Sequence, residues 1–302
     1  MLFKSASALL LSAAFFSGGL ALTASAAMAA PLDAVASFSI LGDMVSVVGG
    51  DRVHVTTIVG PNSDTHVYEP TPADASAVGK AQVFFTSGLG FEGWMDRLVQ
   101  STGYKGPLVV ASNGVTSRTM DEDGKTITDP HAWQSLANGL IYVKNIAAGL
   151  CAVDADGCPT YEANARTYSD AIAALDAEVK ASIAQVPEAE RKVITTHDAF
   201  GYFGAEYGVQ FLAPEGISTE SEASAADVAG LIDQIRAEKV HALFIENMSD
   251  PRLIQQIADE TGVKVGGALY SDALSEPGEG GGTYLEMFRH NIALLVPAME
   301  GK

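Results

Sequence analysis

Basic residues are scarce in this chain of 302 residues: 18 lysines and arginines stand against 37 aspartates and glutamates, a formal net charge of −19, and no basic cluster occurs. Nucleic acid and anionic membrane surfaces are therefore poor partners on electrostatic grounds. Cysteine is nearly absent. Only Cys151 and Cys158 occur, and neither has a Cys-x-x-Cys partner, which weakens a metal-thiolate reading. None follows the N-terminal apolar run, so a lipid anchor at that point is not expected. After that run, no stretch is expected to be long and apolar enough to cross a bilayer. No His-Glu-x-x-His sequence exists, so a zinc hydrolase would lack its usual motif.

What the N-terminus does contain is a signal peptide pattern over residues 1–30. Lys4 is the positive start, Ala8 to Leu22 the apolar stretch, and Ala24 to Ala30 the small-residue region, with cleavage after Ala26, Ala29 or Ala30. A membrane anchor is the alternative, set aside because the run is short and its flank alanine-rich. The mature chain is expected in the periplasm, without a lipid anchor. In that oxidising compartment Cys151 and Cys158 are expected to form a disulfide.

The remainder alternates strand and helix signals. Val35 to Ser39, Val53 to Val59, Gln82 to Thr86 and Leu108 to Ala111 read as strands. Between them, Ile40 to Val48, Ala73 to Lys80 and Phe91 to Thr102 read as helices, with Ser39 and Thr71 as N-caps and Pro72 at the first helical position. Arg118 to Thr128 is a loop or hairpin tip, and a helix runs from His131 to about Leu150. Tyr161, Ala165, Tyr168, Ile172, Leu175, Val179, Ile183 and Val186 keep steps of three and four between Pro159 and Pro187. That is one helix of about 27 residues, or roughly 40 Å at about 1.5 Å per residue. Beyond it the βα pattern returns, with strands at Lys192 to Thr196, Val209 to Ala213, Ala242 to Glu246 and Val263 to Ala268. The expected fold is α/β: two lobes, each a mostly parallel sheet flanked by helices, joined by one long rigid helix. The expected boundaries are 31–158, 159–187 and 188–302.

Four ligand-type residues stand just beyond strand ends or at an element start: His66, His131, His197 and Asp272. Open α/β sheets bind ligands outside the carboxyl ends of their strands, so the natural site is the cleft between lobes. Three neutral imidazoles and one carboxylate form a closed shell that suits Zn2+, while Mn2+, the alternative, prefers more oxygen. A closed shell favours binding over catalysis. Glu69 is the only glutamate close in sequence to one of these ligands, which leaves a hydrolase without an evident base. A surface protein holding zinc only structurally is the third reading. His54, His241 and His290 lie inside strand or helix patterns and are assigned no role. Asp64, Asp129 and Asp198 are candidates to orient the imidazoles or are plain solvated loop acids.

Five segments carry a family resemblance: Val35 to Asp43, His66-Val67-Tyr68-Glu69-Pro70, Asp129-Pro130-His131-Ala132-Trp133, Thr196 to Phe203, and Leu269-Tyr270-Ser271-Asp272. In this order they resemble the zinc/manganese substrate-binding proteins of ABC importers, over the whole mature chain. The resemblance implies a non-enzymatic, monomeric metal carrier that serves an ABC permease in the inner membrane, with a periplasmic metallochaperone as a further candidate partner. Its ligands map onto the same four residues, held between lobes that move little. Two departures stand out. Zinc members often have a histidine-rich loop where Arg118 to Thr128 has none, and manganese members often have glutamate in place of His197. Gly216 to Glu222 also looks like a family segment, either bordering the permease-docking surface or serving as an ordinary loop.

Overall fold

A computed structural model describes residues 30–122, 125–221, 223–238, 240 and 242–302. Residues 1–29, which hold nearly all of the expected signal peptide, and Asp123, Gly124, Glu222, Lys239 and His241 lie outside the described residues.

The first sheet contains β1 (Leu32–Phe38), β2 (Val53–Val59), β3 (Val83–Thr86) and β4 (Leu108–Val110), all parallel, in the order β2-β1-β3-β4. Its helices are α1 (Ser39–Gly49), α2 (Pro72–Lys80) and α3 (Met95–Thr102). A hairpin, β5 (Arg118–Glu122) and β6 (Lys125–Asp129), precedes α4 (Leu136–Val153). Helix α5 (Cys158–Ile183) then leads to β7 (Lys192–Ile194), α6 (Gly201–Tyr207), β8 (Gln210–Leu212), α7 (Ala225–Glu238), β9 (Ala242–Glu246), α8 (Arg252–Thr261), β10 (Lys264–Leu269) and α9 (Tyr284–Met299). The second sheet is also parallel and runs β8-β7-β9-β10. The two sheets therefore share one strand topology, although their sequences show no repeat.

Local chemistry explains where elements start. Thr71 accepts the Asp74 N–H while Asp74 accepts the Thr71 N–H, a capping box with Pro72 at the first helical position of α2. Ser39 does not cap α1. It is the first helical residue, and its hydroxyl instead accepts the N–H of Leu274 from the second half of the chain. Helix α3 begins at Met95 rather than Phe91, because the Glu92 carboxylate folds the preceding loop around itself. Glu92 accepts the Ser87 and Gly88 N–H groups and the Ser37 hydroxyl. Gly88, Leu89 and Gly90 all have positive φ, which no helix start tolerates. Helix α4 begins at Leu136, with Ser135 accepting the Asn138 N–H, and the residues after His131 form a short 3-10 turn.

Tyr161, Ala165, Tyr168, Ile172, Leu175, Val179 and Ile183 form the buried stripe of α5. The helix packs on α1 and α4 from the first half and on α6 and α9 from the second. The disulfide Cys151–Cys158 ties the end of α4 to its start; closing so short a loop is worth about 2.5 kcal/mol in the chain-entropy model. Helix α4 corrects one expectation: it is long and apolar enough to span a bilayer. Here that apolarity is core, since Leu136, Tyr142, Val143, Ile146 and Leu150 are fully buried. One continuous apolar cluster runs from the first sheet through α5 to Phe203, Tyr284 and Phe288. A smaller one lies between the second sheet and helices α7 and α8. Residues 31–302 form a single compact unit.

Candidate metal centre

Two of the imidazoles are set by the same local device. In Asp64-Thr65-His66 and Asp129-Pro130-His131 the first carboxylate accepts the histidine backbone N–H, at 2.9 and 3.0 Å. Such Asx turns hold the histidine at a sharp bend directly after the preceding strand or loop. The two then differ. The same Asp129 oxygen also lies 3.0 Å from His131 Nδ1. The other Asp64 oxygen accepts the Thr219 hydroxyl, from the second half of the chain, at 2.7 Å.

His197 is held from another strand. Glu246, the last residue of β9, accepts the N–H groups of Thr196 and His197, both at 2.9 Å, and its other oxygen is 2.8 Å from His197 Nδ1. Asp272 follows β10. The carbonyl of its neighbour Ser271 accepts Trp133 Nε1–H at 2.9 Å and Gln134 Nε2–H at 2.6 Å. The 3-10 turn after His131 thus fixes the Asp272 loop.

These elements bring His66, His131, His197 and Asp272 together, with one candidate ligand atom from each within 4.8 Å of the others. Asp272 Oδ2 lies 3.2 Å from His66 Nε2 and 3.1 Å from His197 Nε2, and Oδ1 lies 3.6 Å from His131 Nε2. The three ring centroids form a near-equilateral triangle of 5.3 to 5.7 Å. His131, His197 and Asp272 are fully buried, whereas His66 retains 8% exposure. Phe91 packs on the His66 ring and Trp133 on the His131 ring, so the surroundings are apolar.

Burial alone would push His131 and His197 toward neutrality, but the carboxylates outweigh it. Asp272 and Asp129 raise His131 to about 9, and Glu246 and Asp272 raise His197 well above its ordinary value. Burial would raise the Asp272 carboxyl, yet His131 and His197 hold it well below the usual range. The cluster is therefore built to balance positive charge. Asp272 Oδ1 is buried without a hydrogen-bond partner, and a cation among these donors satisfies it. Because a carboxylate only accepts, Asp129 and Glu246 place the ring proton of a neutral imidazole on Nδ1. Nε2 is then left free as a donor to metal.

Of Asp64, Asp129 and Asp198, only Asp129 meets an imidazole ring. Asp64 grips the loop backbone, and Asp198 lines a cavity of about 270 Å³ beside Gly201. Glu246 does for His197 what Asp198 does not; its only signal in the sequence is an acid closing the apolar strand Ala242-Leu243-Phe244-Ile245-Glu246. His54 pairs with Asp33 at the surface and His290 bonds the Ala268 carbonyl, both outside the cluster. Glu69 is exposed. Cys151, Cys158 and Glu162 also lie close together, but the two sulfurs are joined in the disulfide.

The model of the family "Zinc-uptake complex component A periplasmic" matches residues 34–298. The chain is 33% identical over 276 residues to the manganese-binding lipoprotein MntA of Bacillus subtilis, covering 89% of this chain and 90% of that one. It is 32% identical over 269 residues to the protein of the same name from Halalkalibacterium halodurans, covering 89% and 88%. Among solved structures, the periplasmic zinc binding protein TroA of Treponema pallidum superposes with a TM-score of 0.84 at 29% identity, over 89% of this chain and 99% of that one. The Mn-bound periplasmic metal binding protein of Candidatus Liberibacter asiaticus gives 0.80 at 31% identity, over 89% and 99%. Relatives named as lipoproteins stand against the expectation of an unanchored protein, while an exported location fits them all. These are binding components, not enzymes, and this chain shares the two-lobe fold of its structural neighbours, with two parallel sheets flanked by helices. The chain belongs to this family, the substrate-binding proteins of metal ABC importers.

Proposed function

We propose that this chain carries Zn2+ in the periplasm and delivers it to an inner-membrane permease, with His66, His131, His197 and Asp272 as the four ligands. In this reading residues 31–158 and 188–302 are the two lobes, and the segment 159–187, which holds most of α5, joins them. The carrying observation is the donor set: three imidazoles whose Nε2 atoms face one carboxylate in a buried cluster. Nitrogen-rich, four-donor sites favour zinc over manganese by the Irving–Williams order. A single carboxylate supplies few oxygens for a hard ion.

Mn2+ is the second reading, favoured by the names of the Bacillus subtilis and Halalkalibacterium halodurans relatives and by the Mn-bound neighbour. Competition titration of the metal-stripped protein against a chelator of known strength, with each ion in turn, separates the two. Tight one-to-one zinc binding with much weaker manganese is the expected result. Comparable affinities would assign the choice of metal to supply and permease. Absence of stoichiometric binding by either ion would sink the four-ligand reading.

A further inference from the structure

The hairpin β5–β6 belongs to the first half of the chain, yet its base is pinned by a residue of the second. Tyr202, on α6 and 4% exposed, donates its hydroxyl proton to the Asp129 carbonyl at 3.0 Å and accepts the Arg118 N–H at 3.0 Å. One hydroxyl thus closes both strands of the hairpin where they leave the sheet-like ladder, at the Arg118–Asp129 pair. The Arg118 guanidinium lies over the Tyr202 ring, 5.7 Å from its centroid, and its Nε is 3.7 Å from Asp129 Oδ2. At Gly201 an added Cβ would come within 2.5 Å of that oxygen, so the α6 terminus is shaped to receive the carboxylate. The neighbouring cavity, lined by Arg118, Asp129, Asp198 and Gly201, leaves Asp129 room to move once its backbone is released.

We propose that Tyr202 is a positioning residue for His131, acting through Asp129. The chain of contacts is short: the Tyr202 hydroxyl fixes the Asp129 backbone, the Asp129 carboxylate fixes the His131 backbone and ring, and the ring presents Nε2 to the cluster. The proposal rests on the reading of His131 as a ligand. It makes one ligand from the first half of the chain depend on a hydroxyl from the second. Separation of α6 from the hairpin therefore loosens His131, so opening and loss of grip on the ion become one event.

The test is zinc affinity and zinc release rate in the whole metal-stripped protein, for Tyr202→Phe, Asp129→Ala, the double variant, Arg118→Ala and His131→Ala. Metal-free melting curves of each confirm folding; Tyr202→Phe keeps the buried ring. Loss of an orienting partner typically weakens a metal site 10- to 100-fold. Tyr202→Phe is expected to weaken zinc binding about tenfold, chiefly through faster release, and the double variant to be no weaker than Asp129→Ala alone. Arg118→Ala keeps the backbone N–H that Tyr202 accepts but removes the guanidinium from Asp129 Oδ2, and is expected to weaken zinc binding less than Asp129→Ala. Full affinity in Tyr202→Phe, with His131→Ala crippled, overturns the proposal and leaves His131 a ligand. Additive losses in the double variant overturn the route through Asp129. Unchanged affinity in His131→Ala removes the ligand reading and this proposal with it. A lower melting temperature for Tyr202→Phe with unaltered zinc kinetics reduces Tyr202 to a structural role and also overturns it.

Discussion

At the scale of single residues, the centre depends on acceptors behind the imidazoles. Glu246 takes two backbone N–H groups on one oxygen and faces His197 Nδ1 with the other. In Glu246→Gln the amide N–H₂ that replaces the second oxygen cannot accept the ring proton. His197 then favours the tautomer with Nε2 protonated, which is blocked toward metal. Zinc affinity is expected to fall about 10- to 100-fold, by the same chelator competition; unchanged affinity would show that Glu246 only braces the loop. Proton balance supplies a second prediction. In the metal-free protein, Asp272 and Asp129 raise His131 to about 9, and Glu246 and Asp272 raise His197. Both groups gain protons on folding, so their contribution to metal-free stability is complete below their unfolded pKa, near 6.5, and is lost as pH rises through the folded values. Metal must displace these protons. Apparent zinc affinity is therefore expected to rise between pH 7 and 9, with proton release seen calorimetrically as a dependence on buffer ionisation enthalpy. Buffer-independent heats would contradict it.

At the scale of elements, α1, α5 and α9 meet at Asp43. Its carboxylate accepts the Tyr284 N–H at 2.9 Å and the Tyr168 hydroxyl at 3.4 Å. Burial raises its pKa to about 6, against the lowering effect of those two bonds. The protonated form is thus favoured in the folded state, and the stability it contributes is present below pH 4 and lost as pH rises to about 6. Asparagine keeps an acceptor and removes the charge. Asp43→Asn is expected to be more stable than the parent at pH 7, by up to about 3 kcal/mol, and to flatten the melting profile between pH 4 and 6. Parallel profiles for the two proteins would show that Asp43 is solvated enough to escape the penalty. Helix α5 was legible because a long amphipathic helix repeats its signal over seven turns and tolerates error at either end. Helix α3 was misplaced by four residues, because the buried Glu92 carboxylate organises a loop from groups distant in sequence.

At the scale of the whole molecule, the apolar cluster that starts in the first sheet continues through α5 into α6 and α9. Wide separation of the lobes would expose that surface, at about 25 cal/mol per Å². Stripping the metal is therefore expected to leave both lobes folded, with an unchanged far-ultraviolet circular dichroism spectrum and a single, lower melting transition. Collapse of the spectrum would mean that the ion is structural and would revive the reading as a surface protein. Trp133 and Gln134, which hold the Asp272 loop by its Ser271 carbonyl, act over more than 130 residues of sequence. Tyr202 and Thr219 likewise bridge the halves.

The sequence by itself determined the βα alternation, the buried stripe of α5 and the Asp-x-His bends, because each is written in residues a few positions apart. It also offered the three histidines as candidate donors, since only six histidines occur, while any aspartate near a strand end could have stood in for Asp272. Tertiary structure alone decided which carboxylate stands behind which imidazole. Asp129 serves its own neighbour, Asp64 turns away to Thr219, and Glu246 reaches His197 from another strand. A hydrogen bond needs atoms about 3 Å apart, and strand order in a parallel sheet, not distance along the chain, sets which side chains come that close.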